Sequence, residues 1–142
     1  MLYQLLYVSD FDASVPSDMD AIVQRAKEVN ERLHVTGALW FDGRTFLQML
    51  EGGRAALSEV LTRIMRSNVH RNVELVCFRP AAERLFSDWS MAYFHAGDED
   101  GGVVKKFSVD NEFRPRDMSA ESLISFMRYL EMQRQVSAVH SI

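Results

Sequence analysis

RTFLQMLEGG, residues Arg44–Gly53, carries a polar amide through an otherwise apolar run. It follows Asp42-Gly43, the strongest short hairpin signal in the chain, and ends at Gly52-Gly53. Strand alternation sets Phe46, Gln48 and Leu50 on one face. Gln48 is thus a carboxamide aimed where its neighbours place the core, and leaving it unpaired there costs roughly 1–3 kcal/mol. Two more polar groups sit among apolar neighbours. Tyr7 lies in the opening run LYQLLYVS, and Asn30 is the polar member of the stripe Ile22, Val23, Ala26, Asn30, Leu33. Together they point to one shared polar guest. Singly, Tyr7 reads as a core tyrosine bonded to backbone, and Asn30 as a last-turn residue bonding a free carbonyl.

Outward from this strand the elements follow in order. Leu2–Ser9 is a strand with two apolar faces, which suits a sheet covered on both sides. Ser17-Asp18-Met19-Asp20 fits a capping box, and a helix runs from it to about Leu33. Ala38–Phe41 is the second strand, joined by the hairpin to Thr45–Glu51. Gly52-Gly53 opens a helix over about Arg54–Arg66, with Leu57, Val60, Leu61, Ile64 and Met65 on one stripe. No Lys-Ser or Lys-Thr follows the glycines, so they read as a tight turn rather than a phosphate loop. Asn72–Phe78 is the fourth strand, ended by Pro80. After a polar link, Ala81–Asp88, around Phe86, the fifth strand is Trp89–His95, with Trp89, Met91 and Tyr93 opposite Ser90, Ala92 and Phe94.

This order, β-α-β-β-α-β plus one strand, is α+β and ferredoxin-like: an antiparallel sheet with two helices on one face. Gly97–Gly102 (GDEDGG) reads as a hinge, Val103–Phe107 as a short helix, and Ser119 as the cap of a helix to about Gln133. Leu123, Ile124, Met127 and Leu130 of that helix would cover the other sheet face. The expected division is a core over residues 1–97 and a helical extension over 98–142. Apolar surface left open on the extension would suit a partner or a twin subunit, hence a homo-oligomer.

Composition narrows the function. The 142 residues are 47% apolar and 25% charged, an ordinary globular balance. A net charge of −4 gives no basic footprint for nucleic acid. No run reaches the length of a membrane span, and the single Cys77 reads as a small core hydrophobe. The expected location is the cytoplasm. His34, His70, His95 and His140 are scattered without metal-ligand spacing, and no nucleophile motif is present. Nothing supports an enzyme.

The opening LYQLLYVS with Tyr7, Asn30 ahead of VTGALWFDG, TFLQMLEG with Gln48, and FSDWSM with Trp89 and Met91 together resemble the BLUF family of flavin-binding blue-light sensor domains. The resemblance covers about residues 1–94. It implies FAD held non-covalently with its ring between the two helices, Ile22 and Ile64 on either side. Asn30 would bond the ring's carbonyl and imide edge, and Gln48 would reach the flavin and the Tyr7 hydroxyl. Arg63 would lie toward the ribityl-phosphate end, near Ser67 and His70. It also implies a photocycle in which Tyr7 yields an electron and then a proton, Gln48 rotates or tautomerises, and recombination leaves only a changed hydrogen-bond pattern and a red-shifted spectrum. Glutamine suits that role because its amide offers both donor and acceptor. Trp89 and Met91, expected on one strand face, would pass the change on, with Met91 near Gln48 and Trp89 mobile; the plainer reading packs Trp89 beneath the C-terminal helix. The chain departs from the family at Ser67-Asn68-Val69-His70, where an Asp and an Arg commonly precede the His, and at Val29, where others carry a polar side chain. FMN or riboflavin therefore stay open beside FAD. Output would go to a separate protein, a cyclic-dinucleotide enzyme or a transcriptional regulator.

Two other readings stand beside this one. A colourless ferredoxin-like module holding another small ligand would explain the fold, but not Tyr7, Asn30 and Gln48 together. A small hydrolase on the acylphosphatase fold would need an arginine and an asparagine over a phosphate loop, and no motif supplies them.

Overall fold

The computed structural model describes residues 1–96 and 102–140, with side chains assigned through Arg134. Five strands form one sheet: β1 (Tyr3–Phe11), β2 (Thr36–Phe41), β3 (Thr45–Gly52), β4 (His70–Pro80) and β5 (Ala92–His95), in the order β4-β1-β3-β2-β5. The β1–β3, β1–β4 and β2–β3 pairs are antiparallel, whereas β5 runs parallel to β2. The sheet is therefore mixed, not antiparallel throughout. The long link after β4 carries the chain back across the sheet end, so the added strand enters in the direction of β2.

Helices α1 (Met19–Arg32) and α2 (Arg54–Arg66) cover one face, where Val23, Leu57 and Val60 meet Leu5, Tyr7, Phe46 and Leu50. The short α3 (Val103–Phe107) and the long α4 (Ala120–His140) cover the other, where Leu123, Phe126, Met127 and Leu130 meet Leu6, Val8, Leu47 and Met49. Helices on both sides account for the two apolar faces of β1. Asp18, not Ser17, caps α1, its carboxylate accepting from the Asp20 amide at 3.0 Å. Ser119 caps α4, which runs on past Gln133. The hinge expected at Gly97–Gly102 lies, but for Gly102, outside the described residues.

Two local devices fix the sheet. In the hairpin, Asp42 Oδ1 accepts from the amides of Arg44 (2.9 Å) and Thr45 (2.7 Å), while Gly43 takes φ +93°. That conformation suits glycine. Gly37 is required for a different reason: a Cβ there would lie 2.1 Å from the Met49 carbonyl oxygen.

The link between β4 and β5 is held by a buried acid. Glu51 is fully buried and accepts from Gln4 Nε2 (2.9 Å), the Leu85 amide (2.6 Å), the Phe86 amide (2.8 Å) and Thr36 Oγ1 (3.3 Å). Four donors replace the water a carboxylate gives up on burial. From there the Trp89 amide turns back to the Phe86 carbonyl at 3.1 Å, and the Trp89 carbonyl accepts from Gly37 N at 3.0 Å. The chain extends beside β2 only from Ala92, so the fifth strand is shorter than the Trp89–His95 expected from alternation.

Candidate functional site

A cavity of about 240 Å³ opens between α1 and α2 above the sheet, just below the roughly 300–1,000 Å³ usual for small-molecule sites. Ile22 and Ile64 line it from opposite helices, with Leu39 and Phe46 contributed by the sheet. Its polar wall includes Asn30, Gln48, Ser67 and His70. Arg25 and Arg63 also line it, one from each helix, and no carboxylate does so among the described residues. In a chain with 20 acidic and 16 basic residues, that is a local reversal of sign.

Gln48 stands between this cavity and Tyr7. The phenol hydroxyl donates to Gln48 Oε1, while Gln48 Nε2 donates to Met91 Sδ at 3.5 Å. Gln48 lines the cavity but Tyr7, fully buried behind it, does not. The phenol thus communicates with the cavity through the amide. A thioether is a weak acceptor, so a buried NH₂ group is left with capacity for a better one. Burial pushes the Tyr7 hydroxyl well above the usual tyrosine range, and it keeps its proton.

Asn30, almost fully buried, donates from Nδ2 to the Ser90 carbonyl at 2.7 Å. It therefore bonds the link before β5 rather than a carbonyl of its own helix. Among the described residues its side-chain oxygen has no partner. His70 pairs Nδ1 with Ser9 Oγ at 2.8 Å and sets its ring against Phe46 (4.5 Å) and edge-on to Tyr7 (6.0 Å). Burial lowers its pKa to about 4, so the imidazole is neutral at pH 7.

Tyr7, Ile22, Asn30, Gln48, Arg63, Ile64, Ser67 and His70 thus all fall in or directly behind one cavity. Trp89 and Met91 separate. Met91 packs with Tyr7 and Phe46 on the cavity side, whereas Trp89 packs with the α4 cluster on the far side. The expectation that both share a strand face fails because Trp89 precedes β5 and alternation does not govern it. The sequence alone does not mark Arg25 or Glu51. Arg25 follows Ile22 by three positions and so falls on the same helix side. Glu51 follows Leu47 and Met49 by alternation, which places a carboxylate on an apolar face.

The family model for BLUF, sensors of blue light using FAD, matches residues 2–92. The chain belongs to the BLUF family. BLUF structures share its architecture: BlrB in its dark state aligns with TM-score 0.72 and 26% identity, covering 94% of this chain and 96% of that one. BlsA in its photo-activated state aligns with TM-score 0.84 at 24% identity over 92% and 95% of the two chains, a likeness of fold. Klebsiella pneumoniae BlrP1 with FMN and cyclic diGMP aligns at 35% identity with TM-score 0.64, over 67% of this chain and 26% of that one. The photoactivated adenylate cyclase subunit beta of Euglena longa is 31% identical over 75 residues, 52% of this chain. That match spans only 9% of the cyclase subunit.

Proposed function

We propose that this BLUF protein senses blue light through a flavin, FAD by family, whose ring enters the cavity between α1 and α2. The single observation that carries the reading is Gln48, one amide bonded to a buried phenol on one side and facing the cavity on the other. The cavity fits such a guest. Ile22 and Ile64 offer apolar walls for a flat ring, and Gln48 Nε2 and Asn30 Oδ1 stand ready for its polar edge. When bound, the flavin supplies blue-light absorption and an acceptor for one electron.

The chain's own residues do the rest. Tyr7 yields an electron and its phenolic proton and takes both back on recombination, so no bond is made or lost overall. The buried setting keeps Tyr7 protonated beforehand and excludes water from the transfer. Gln48, holding donor and acceptor on one rotatable group, exchanges the atoms it presents to Tyr7, Met91 and the cavity. Two hydrogen-bond patterns of one network then bias the link and β5, which join the switch to α4. Arg25 and Arg63 place positive charge on the cavity wall, where they would hold a flavin phosphate, which favours FMN or FAD over riboflavin.

On this reading the protein performs no turnover. Its proposed effector is a separate protein, a cyclic-dinucleotide enzyme or transcriptional regulator. The relatives named as a photoactivated adenylate cyclase and as BlrP1 with cyclic diGMP support the link to cyclic-nucleotide signalling, though each is a longer chain of which the match is a small part. Purified protein should be yellow and shift reversibly to the red under blue light. Pull-downs compared in darkness and light would identify the effector. A colourless preparation that takes up no added flavin would leave the non-photoactive binding module as the better reading.

A further inference from the structure

We propose that Arg134 is the positioning residue through which the state of the Gln48 amide reaches α4; the proposal rests on the photoreceptor reading above. The Arg134 guanidinium carbon lies 4.5 Å from the Trp89 ring centroid and 5.1 Å from that of Phe94, and Nη1 donates to the Tyr93 carbonyl at 2.9 Å. Those three residues flank Met91, the acceptor of the Gln48 N–H. One side chain of α4 therefore grips, from the far sheet face, the segment whose middle residue touches the switching amide from the cavity face.

An arginine suits this grip. Its planar cation lies over aromatic faces while its edge donates a directed bond, a combination an ammonium cannot match. Trp89 is held by its faces rather than by its N–H, since Nε1 is buried without a hydrogen-bond partner among the described residues. The indole can therefore slide in its plane as the segment moves. Upstream the link is fastened, by the Glu51 bonds to Leu85 and Phe86 and by the Trp89 carbonyl on Gly37. A change at Met91 is thus directed downstream, into Tyr93 and Phe94.

The other end of the extension supplies a fixed point. Arg116, in the turn before α4, bonds Asp10 (2.9 Å), Glu74 (3.2 Å) and the Asn72 carbonyl (2.8 Å) on β1 and β4. β4 and β5 are opposite edges of the sheet. The extension is therefore pinned at one edge by Arg116 and held at the other by Arg134, so displacement at Arg134 turns α4 about its Arg116 end.

The test is hydrogen exchange of the α4 backbone amides in darkness and under continuous blue light, on the flavin-loaded wild type, Arg134→Lys and Arg134→Gln, with the visible spectrum recorded for each. All three should show the same red shift, because Arg134 is on the sheet face away from the cavity. The light-dependent change in α4 exchange should be present in wild type, reduced in Arg134→Lys and lost in Arg134→Gln, with dark protection of α4 kept in both variants. A wild-type change retained in Arg134→Gln overturns the proposal. So does α4 unprotected in the dark in both variants, which would make Arg134 only a fastener. A red shift in wild type with unchanged α4 exchange overturns the relay alone, whereas no red shift in wild type overturns the photoreceptor reading and the relay together.

Discussion

Tyr7 and Gln48 lie directly opposite one another on the neighbouring antiparallel strands β1 and β3, and the phenol of one donates to the amide oxygen of the other. Their backbones are fixed by the ladder on both sides. The freedom that remains is rotation or tautomerisation of the amide itself. A switch built this way changes partners without moving the strands that carry it.

Tyr7→Phe keeps the ring and removes the donor. The buried Gln48 oxygen then lacks its partner, so the variant should lose about 1–3 kcal/mol of stability, measured by urea unfolding. Flavin should still bind, and the light-induced red shift should be absent.

Glu51→Gln tests the fastening of the link. The carboxylate accepts four hydrogen bonds, and an NH₂ group in its place would face donors such as Leu85 N and Gln4 Nε2. An unfolding loss of roughly 1–3 kcal/mol is expected, with faster exchange of the Leu85 and Phe86 amides. A variant as stable as wild type would show that these bonds do not hold the link.

The legible parts of the chain were those governed by periodicity and turn chemistry. Asp42-Gly43 marked its hairpin, the α2 stripe gave Arg54–Arg66, and the polar intrusions Tyr7, Asn30 and Gln48 pointed to one cavity. What escaped was set by tertiary hydrogen bonds. Trp89 looks like a strand residue by alternation, but the turn to Phe86 and the bond from Gly37 keep it out of the strand and send it to the other face. The direction of β5 depends on where the β4–β5 link crosses, which no local pattern records. Arg25 carries no signal in the sequence, since an exposed helix arginine is ordinary without a cavity beside it.

Arg25 and Arg63 should govern which flavin is preferred. Replacing both by Gln should weaken binding of FMN and FAD while leaving riboflavin unchanged, as read by quenching of flavin fluorescence. Added salt should weaken FMN binding more in wild type than in the double variant. Equal losses for all three flavins would assign the arginines a role in packing instead.

His70 predicts a pH dependence. Its pKa is about 4 when folded, below the ordinary histidine range, so the unfolded chain binds a proton that the folded chain refuses. Stability contributed by the neutral ring is present above the unfolded value of about 6.5 and declines as pH falls from there toward the folded value. Urea midpoints followed over that window should fall more steeply for wild type than for His70→Gln. Parallel curves would count against the burial argument.

The central claim is that a single buried amide converts light into a changed hydrogen-bond pattern. The most direct measurement is the visible spectrum of flavin-loaded wild type and Gln48→Leu, before and during blue illumination. Wild type should shift to the red and return in darkness, while Gln48→Leu, still yellow, should not shift. A full, reversible shift in Gln48→Leu would contradict the account.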